Sequence, residues 1–516
     1  MNVIYSAANN RVIVPYSAAV ANIIPTAKKF KWKVNDWLAI PNNLTETKLL
    51  RNMGYPVTPS ILTGYNWAGN TPFDTQRKTA ALLVGNSRAY VLNSIGTGKT
   101  AAALFAFDYL VSQGLAKRAL VVAPLSTLTT VWEREVFMRF PHLTAGVLHG
   151  SRTKRLHGLS VNRHIDIINH DGVYTIAAAL AAKQYDVVII DELAVYRTPR
   201  TQKGNALLPI VRGAPYAWGM TGSPTPNEPT DAWGQVRLLT PANVPYSQKK
   251  FKESVMYQVS MFRWLPRPTA NDVVFAAMTP AVRFTRDECF DLPPTTYAYH
   301  KTELTPEQKK SYSEMVHQFT TSVAGQAITA ANEGVKVSKL LQIGCGAVYD
   351  RDGRARMIPP KPRLRVLLDL LASTEGKVLV FTPFKSSIRM LAAVVGAKYT
   401  MRVVNGDTPR EERVRTFTEF EQAIDPQVIV AHPKCMAHGV TLVAASTVIW
   451  YAPTWSYELY EQANGRITRA GQTRHTHIVN IEGTPIEHQM YLRLAKKEKM
   501  QGVLLDMFNQ HTLLDV

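Results

Sequence analysis

Cysteine is scarce: three occur in 516 residues, Cys289, Cys345 and Cys435, far apart and never in a CxxC pair. That excludes a four-cysteine zinc or iron–sulfur site and a disulfide-stapled scaffold, and it suits a reducing cytoplasm. Long apolar runs are missing too. The stretch from Val12 to Ala27 is uncharged, but it holds Pro15 and Pro25, lacks a basic lead-in and falls short of the roughly 18 apolar residues a spanning helix needs. Neither a signal peptide nor a membrane anchor is expected. Acidic residues are in short supply, 39 Asp plus Glu against 59 Lys plus Arg, which leaves a net charge of +20. Such an excess suits a polyanionic partner, whether nucleic acid or an anionic surface. No low-complexity run or solenoid-length repeat is present, and a hydrophobic share of 46% argues for folded interiors.

What the chain does contain falls into four blocks. Residues 1–70 carry seven basic against two acidic side chains, short β-like runs such as Val12-Ile13-Val14, and the tryptophans Trp32 and Trp37. In residues 71–241, β-branched runs alternate with helical stretches: Tyr90-Val91-Leu92, Ala119-Leu120-Val121-Val122, Asp186-Val187-Val188-Ile189-Ile190 and Tyr216-Ala217-Trp218. This alternation predicts a buried parallel sheet flanked by helices. Residues 242–362 are broken by Pro266, Pro268, Pro280, Pro293 and Pro294, and read as helical protrusions and a linker. Residues 363–516 return to α/β, with strands expected at Lys377 to Phe381, Gln427 to Val430, Thr447 to Trp450 and His477 to Asn480.

The sharpest chemical signal is Ser94-Ile95-Gly96-Thr97-Gly98-Lys99-Thr100, between a strand candidate and an alanine-rich helical stretch. Glycines at Gly96 and Gly98, with Thr97 between them, let backbone N–H groups curl around phosphates. A helix N-terminus favours the negative charge, Lys99 reaches the β/γ-phosphates, and the Thr100 hydroxyl can ligand Mg²⁺. Asn93 stands where the general P-loop pattern has its first glycine. About ninety residues on, an apolar strand ends in Asp191-Glu192. Asp191 there is expected to hold Mg²⁺ through water, and Glu192 to orient the water that attacks the γ-phosphate of ATP.

These two elements resemble motifs I and II of superfamily-2 helicases, and more of the chain resembles the Swi/Snf-type translocases among them. Val122-Ala123-Pro124-Leu125-Ser126 followed by Trp132-Glu133-Arg134-Glu135 is similar to motif Ia, Ile168-Asn169-His170-Asp171 to motif Ib, and Met220-Thr221-Gly222-Ser223-Pro224-Thr225-Pro226-Asn227 to motif III. Pro72-Phe73-Asp74-Thr75-Gln76 resembles the adenine-reading segment, which implies that role for Gln76. Asp291-Leu292-Pro293-Pro294, Leu304 to Gln308 and Tyr312 resemble the stretch joining the two lobes of such motors. His438 to Leu442 resembles motif V, and Gln462, Arg466, Arg469, Gly471 and Gln472 match motif VI. If helical, Gln462, Arg466 and Arg469 lie at i, i+4 and i+7 on one face, where guanidinium groups stabilise charge on a transferring phosphoryl. Trp32, Trp37 to Pro41 and Leu49 to Gly54 resemble the small HARP-type domain of annealing-helicase relatives, some of them from phages. Trp32 amid Lys28, Lys29, Lys31 and Lys33 is either a base-stacking platform or, with Trp37, core of a small β-domain.

The resemblance implies two RecA-like parallel-sheet lobes, a helical protrusion and linker region, and a small β-containing N-terminal domain. ATP and Mg²⁺ are the implied cofactors, with Gln76, Lys99, Thr100, Asp191 and Glu192 on the first lobe and Gln462, Arg466 and Arg469 on the second. Carried over from motifs Ia, IV and V, the DNA-backbone contacts are Ser126, Thr382 and Gly439, joined by Lys31 and Trp32. The expected activity is a DNA-stimulated ATPase. It would be a monomeric translocase on duplex or forked DNA that remodels forks or anneals strands in replication, recombination or repair, beside proteins of those processes. Rival readings are a strand-separating helicase on DNA or RNA, a nucleotide-gated DNA-binding module with little turnover, and the motor subunit of a nuclease complex. Two residues depart from the family pattern: Thr468 replaces a frequent histidine, and Ala194 replaces the polar residue that links motif II to motif III.

Overall fold

In the computed structural model, which describes residues 3–67, 72–260, 263–289, 292–323, 326–331, 333–436 and 441–496, the chain divides into two compact units, Met1–Cys289 and Phe290–Val516. The first unit opens with a four-stranded antiparallel sheet, ordered Ile4–Ser6, Arg11–Pro15, Asn35–Pro41, Lys28–Trp32. Strict alternation turns Val12, Val14, Leu38 and Ile40 to a small core completed by Val20, Ile24, Leu50 and Val57. The lysine-rich strand Lys28–Trp32 is left at the edge with its charges in solvent, where lysines discourage further strand pairing.

The remainder of the unit is built on a seven-stranded parallel sheet in the order Ala281–Val282, Arg88–Val91, Tyr216–Met220, Val187–Asp191, Ala119–Ala123, Ile165–Asn169, Ala145–Leu148. Because side chains alternate, each apolar run serves two cores: Val188 and Ile190 pack on one face, Val187 and Ile189 on the other. The helix Lys99–Ser112 is alanine-rich through its first turns and is buried from Ala101 to Leu110, which lets it lie close to the sheet and to the helix Asp74–Gly85. Register sets where the strands stop. Met220 pairs with both Asp191 and Val91, so three neighbouring strands end at one level.

The second unit holds a six-stranded parallel sheet ordered Thr295–Lys301, Thr476–Glu482, Ala445–Trp450, Lys377–Phe381, Val428–Ala431, Met401–Val404. The stretch read as helical protrusions and a linker does hold the helices Gln248–Val255, Ala270–Ala277, Pro306–Gln318 and Glu333–Cys345. It also holds hairpins that the prolines obscured, Met256–Ser260 with Arg263–Pro266 and Ala347–Tyr349 with Ala355–Met357. Two further strands of this stretch, Ala281–Val282 and Thr295–Lys301, become edges of the two main sheets. Among the described residues no helix is long and apolar enough to cross a membrane.

One buried ion pair ties the second unit together. Arg363 donates to Glu487 at 2.6 Å and to the carbonyls of Gly344 and Ile481, while Glu487 also accepts from the Gly483 N–H and the Thr484 hydroxyl. The helix that begins at Lys361 is thereby bound to the turn after the strand Thr476–Glu482. Removing one partner leaves the other charge buried and uncompensated, so Glu487→Gln is expected to destabilise this unit by about 3–5 kcal/mol. Urea unfolding followed by circular dichroism measures it, and Arg363→Met combined with Glu487→Leu is expected to recover most of the loss.

Candidate active site

The chain leaves the strand Arg88–Val91 and turns into the helix Lys99–Ser112 through a loop with two left-handed positions, Gly96 (φ 86°) and Gly98 (φ 75°). Only glycine adopts these values without strain. At Gly98 a second constraint applies, since an added Cβ would fall 2.1 Å from the Gln76 Nε2 atom. Gln76 is itself buried: its Oε1 accepts from the Phe73 N–H at 3.0 Å, and its Nε2 donates to the Gly98 carbonyl at 3.4 Å. Lys99 Nζ donates to the carbonyls of Asn93 (2.8 Å) and Ser94 (3.1 Å), and the buried Thr97 hydroxyl donates to Ser94 (2.9 Å). Thr100 stands half-buried in the first turn of the helix.

Asn93, the departure from the general P-loop pattern, has a structural task. Its amide donates to the Thr79 hydroxyl at 3.1 Å and its Oδ1 accepts from the Phe284 N–H at 2.9 Å. The Phe284 carbonyl in turn accepts from Ser94 N–H. A glycine could make neither side-chain bond, so Asn93 fastens the loop both to the helix bearing Gln76 and to the edge segment 281–284.

Asp191 ends its strand beside this loop. Burial raises the pKa of its carboxyl, offset in part by the Trp132 indole N–H, the Lys99 charge and the Glu192 N–H. Glu192 follows in a left-handed conformation (φ 56°, ψ 56°), which for a side-chain-bearing residue costs about 1–3 kcal/mol. Hydrogen bonds hold it there: its Oε1 accepts from the buried Thr221 hydroxyl at 3.0 Å, and its carbonyl accepts from Val195 N–H at 3.0 Å. Thr221 N–H also donates to the Val91 carbonyl. Ala194, which stands where relatives carry a polar linking residue, makes no such contact, and the polar bond from motif II to motif III comes from another side chain. Ala194 is buried and apolar, and Glu192 itself makes the polar link.

The donor set fits a magnesium nucleotide: a cradle that a Cβ would fill, a lysine at its centre, a helix N-terminus behind it and a carboxylate at the adjoining strand end.

In the second unit the helix Tyr457–Asn464 ends before the two arginines, so the shared helical face expected for Gln462, Arg466 and Arg469 is not formed. Arg466 and Arg469 instead occupy the turns beyond Gly465 and help to satisfy the last helical carbonyls. Arg466 Nε donates to the Gln462 carbonyl and Arg469 Nε to the Gly465 carbonyl, both at 2.9 Å. Arg469 also donates to the Thr441 hydroxyl at 3.0 Å, and the buried Gln462 side chain bonds Glu458 at 3.0 Å.

Of the residues assigned to DNA, Ser126 is exposed on the turn Leu125–Thr127. Thr382 is fully buried, with no surface to offer a phosphate, and that assignment is corrected. Gly439, with His438 and Val440 of motif V, lies outside the described residues, as does Asp291. Lys31 and Trp32 sit on the exposed edge hairpin. The Trp32 ring is 43% exposed and tilts against Trp37 at 5.4 Å, and neither tryptophan belongs to the small core, so the core alternative for Trp32 is set aside. Three residues that sequence reasoning left without a role belong to the site: Asn93, Trp132 and Thr221. The polar side chain at a usual glycine position and the WxxE pattern were the available signals.

The SNF2-related domain matches residues 91–345 and the helicase conserved C-terminal domain matches residues 362–471. Together they take in well over half of the chain, which belongs to the SNF2-related family of helicase-type ATPases. Protein p41 of Acyrthosiphon pisum secondary endosymbiont phage 1 is 26% identical over 465 residues, covering 84% of this chain and 98% of p41. The mouse DNA annealing helicase and endonuclease ZRANB3 is 24% identical over 82% of this chain, which spans only 39% of that protein's length. The solved SWI2/SNF2 ATPase core of Sulfolobus solfataricus in complex with dsDNA is 19% identical and covers 86% of this chain and 94% of that one, with a TM-score of 0.41.

Gly98→Ala tests the cradle. Strain at φ 75° and the collision with Gln76 are expected to weaken binding of a fluorescent ATP analogue at least about tenfold. Far-UV circular dichroism is expected to stay unchanged.

Proposed function

We propose that this chain is a DNA-stimulated ATPase that moves along duplex or forked DNA, remodelling forks or annealing strands. The observation that carries the reading is the meeting of Lys99, Asp191 and the Glu192–Thr221 pair at the ends of three adjacent parallel strands. In this reading Gly96, Thr97 and Gly98 present the backbone to the phosphates, Lys99 neutralises their charge, and Gln76 reads the adenine. Thr100 and Asp191 hold Mg²⁺, which when bound supplies positive charge at the phosphates. Glu192, oriented by Thr221, aligns and polarises the attacking water. Arg466 and Arg469 of the second unit, beside Gln462, contribute the guanidinium charge that phosphoryl transfer requires.

DNA as the partner is supported by the net charge of +20 and by the exposed Ser126, Lys31 and Trp32. Emphasis on annealing is supported by the name of the mouse relative, a DNA annealing helicase and endonuclease. We place this activity in the cytoplasm of a bacterium or an infected host, with the chain acting as a monomer beside replication or recombination proteins.

The test is steady-state ATP hydrolysis at fixed salt with no nucleic acid, single-stranded DNA, duplex DNA, forked DNA and RNA, beside Glu192→Gln. Stimulation by duplex or fork is expected, with the variant about a hundredfold slower or worse. Stimulation by single strands or RNA alone moves the reading to a strand-separating helicase, and no turnover leaves a nucleotide-gated DNA binder. For the edge hairpin, Lys31→Glu is expected to weaken DNA binding equally across sequences and to lower the slope of log affinity against log salt by about one.

A further inference from the structure

Trp132 stands in a π-helical turn, Leu128–Glu133, which follows the exposed turn Leu125–Thr127 at the end of the strand Ala119–Ala123 and runs into the helix Arg134–Arg139. Its ring is fully buried in the apolar core, where the π-helical turn packs on the strands Ala145–Leu148 and Ile165–Asn169. Burial of area accounts for an aromatic ring at this place. It does not account for the aim of the one polar atom in that ring. The indole N–H donates to Asp191 Oδ2 at 3.0 Å, while Asp191 Oδ1 accepts from Glu192 N–H at 3.1 Å. Both carboxylate oxygens are thus engaged from the protein side, and the carboxylate cannot rotate without giving up a bond.

The same short piece of chain reaches the surface. Thr127 bonds the Pro124 carbonyl through both its N–H and its hydroxyl, each at 2.9 Å, and the Thr130 hydroxyl donates to the Ser126 carbonyl at 2.7 Å. Ser126 is exposed, whereas Leu128 and Trp132, two and six residues later, are buried. A stiff, hydrogen-bonded turn therefore has a solvent end at Ser126 and an interior end on Asp191. Single π-turns inside helices are frequent at functional sites.

We infer that Trp132 is a positioning residue that holds the Asp191 carboxylate in the orientation a magnesium nucleotide needs. It also makes that orientation depend on the turn at Leu125–Thr127, so that a phosphate backbone seated at Ser126 biases the nucleotide site. The inference rests on the ATPase reading above. A residue that merely fills the core would affect stability alone; an outer partner of a metal ligand affects metal affinity.

Trp132→Phe keeps a ring and removes the donor. The Mg²⁺ concentration for half-maximal binding of a fluorescent, non-hydrolysable ATP analogue is expected to rise about tenfold. Stimulation of hydrolysis by duplex DNA is expected to fall severalfold. Val136→Ala, a core substitution in the adjoining helix with no polar partner, controls for lost packing: its melting temperature is expected to drop while its Mg²⁺ dependence stays that of the wild type. Thr130→Val removes only the hydroxyl bond to Ser126, leaves the core intact, and is expected to lose DNA stimulation with an unaltered Mg²⁺ dependence in the absence of DNA. Equal Mg²⁺ dependence in Trp132→Phe and Val136→Ala overturns the positioning role, and full stimulation in Thr130→Val overturns the link to the surface turn. A wild-type protein that binds Mg²⁺-nucleotide and hydrolyses ATP beside unaffected variants sinks this inference alone, whereas a wild-type protein that does neither sinks the ATPase reading with it.

Discussion

Parallel strands that share a register end side by side, and in the first sheet Val91, Asp191 and Met220 stop at one level. The first unit's candidate-site groups begin within the next few residues: the glycine loop after Val91, the carboxylates at Asp191 and Glu192, and the Thr221 hydroxyl after Met220. Parallel strands cannot be joined by tight turns, so these groups come from segments far apart in the chain and are brought together only by the sheet. Hydrogen bonds then set their orientation. Glu192 is held by Thr221, Asp191 by Trp132 and its own neighbour, and Lys99 by the carbonyls of the loop it completes.

The basic N-terminal sheet is fastened to the same machinery. Ser60 bonds Tyr109 at 2.7 Å, and Tyr65 donates to Asp108, which also bonds His142. Tyr109 and Asp108 belong to the helix that starts at Lys99. Leu44 and Ile61 join the core beneath that helix. The lysine-bearing hairpin and the nucleotide loop are therefore borne by one packed unit.

Much of this arrangement was legible in the residues. The apolar runs ending at Ile190 and Trp218, the glycine loop and the second set of α/β strands all announce themselves by local pattern, because burial on both faces demands continuous β-branched or aliphatic side chains. Elements whose pattern is weak escaped. Ala281–Val282 is two residues long and half-exposed, and Thr295–Lys301 faces solvent along much of its length, so neither carries a hydrophobic signature although both complete large sheets. The helix ending at Asn464 hides for another reason. Its spacing of Gln462, Arg466 and Arg469 is compatible with a helix, yet the arginines bond the terminal carbonyls and the chain turns at Gly465. The pairing of Trp132 with Asp191 spans 59 positions and follows from no local rule.

The edge strand Ala281–Val282 has a consequence for how the protein comes into being. It lies against the strand that leads into the glycine loop, and Phe284 supplies backbone bonds to both Asn93 and Ser94. A ribosome that has made residues 1–241 has synthesised every residue of the glycine loop and of motifs II and III, but not the segment that closes their outer edge. Until residue 284 has cleared the exit tunnel, the Asn93 side chain and the Ser94 N–H lack their Phe284 partners, and the nascent chain carries an open sheet edge. The first unit thus matures at its boundary with the second, and the nucleotide loop is among the last parts to be closed although it is among the first to be synthesised.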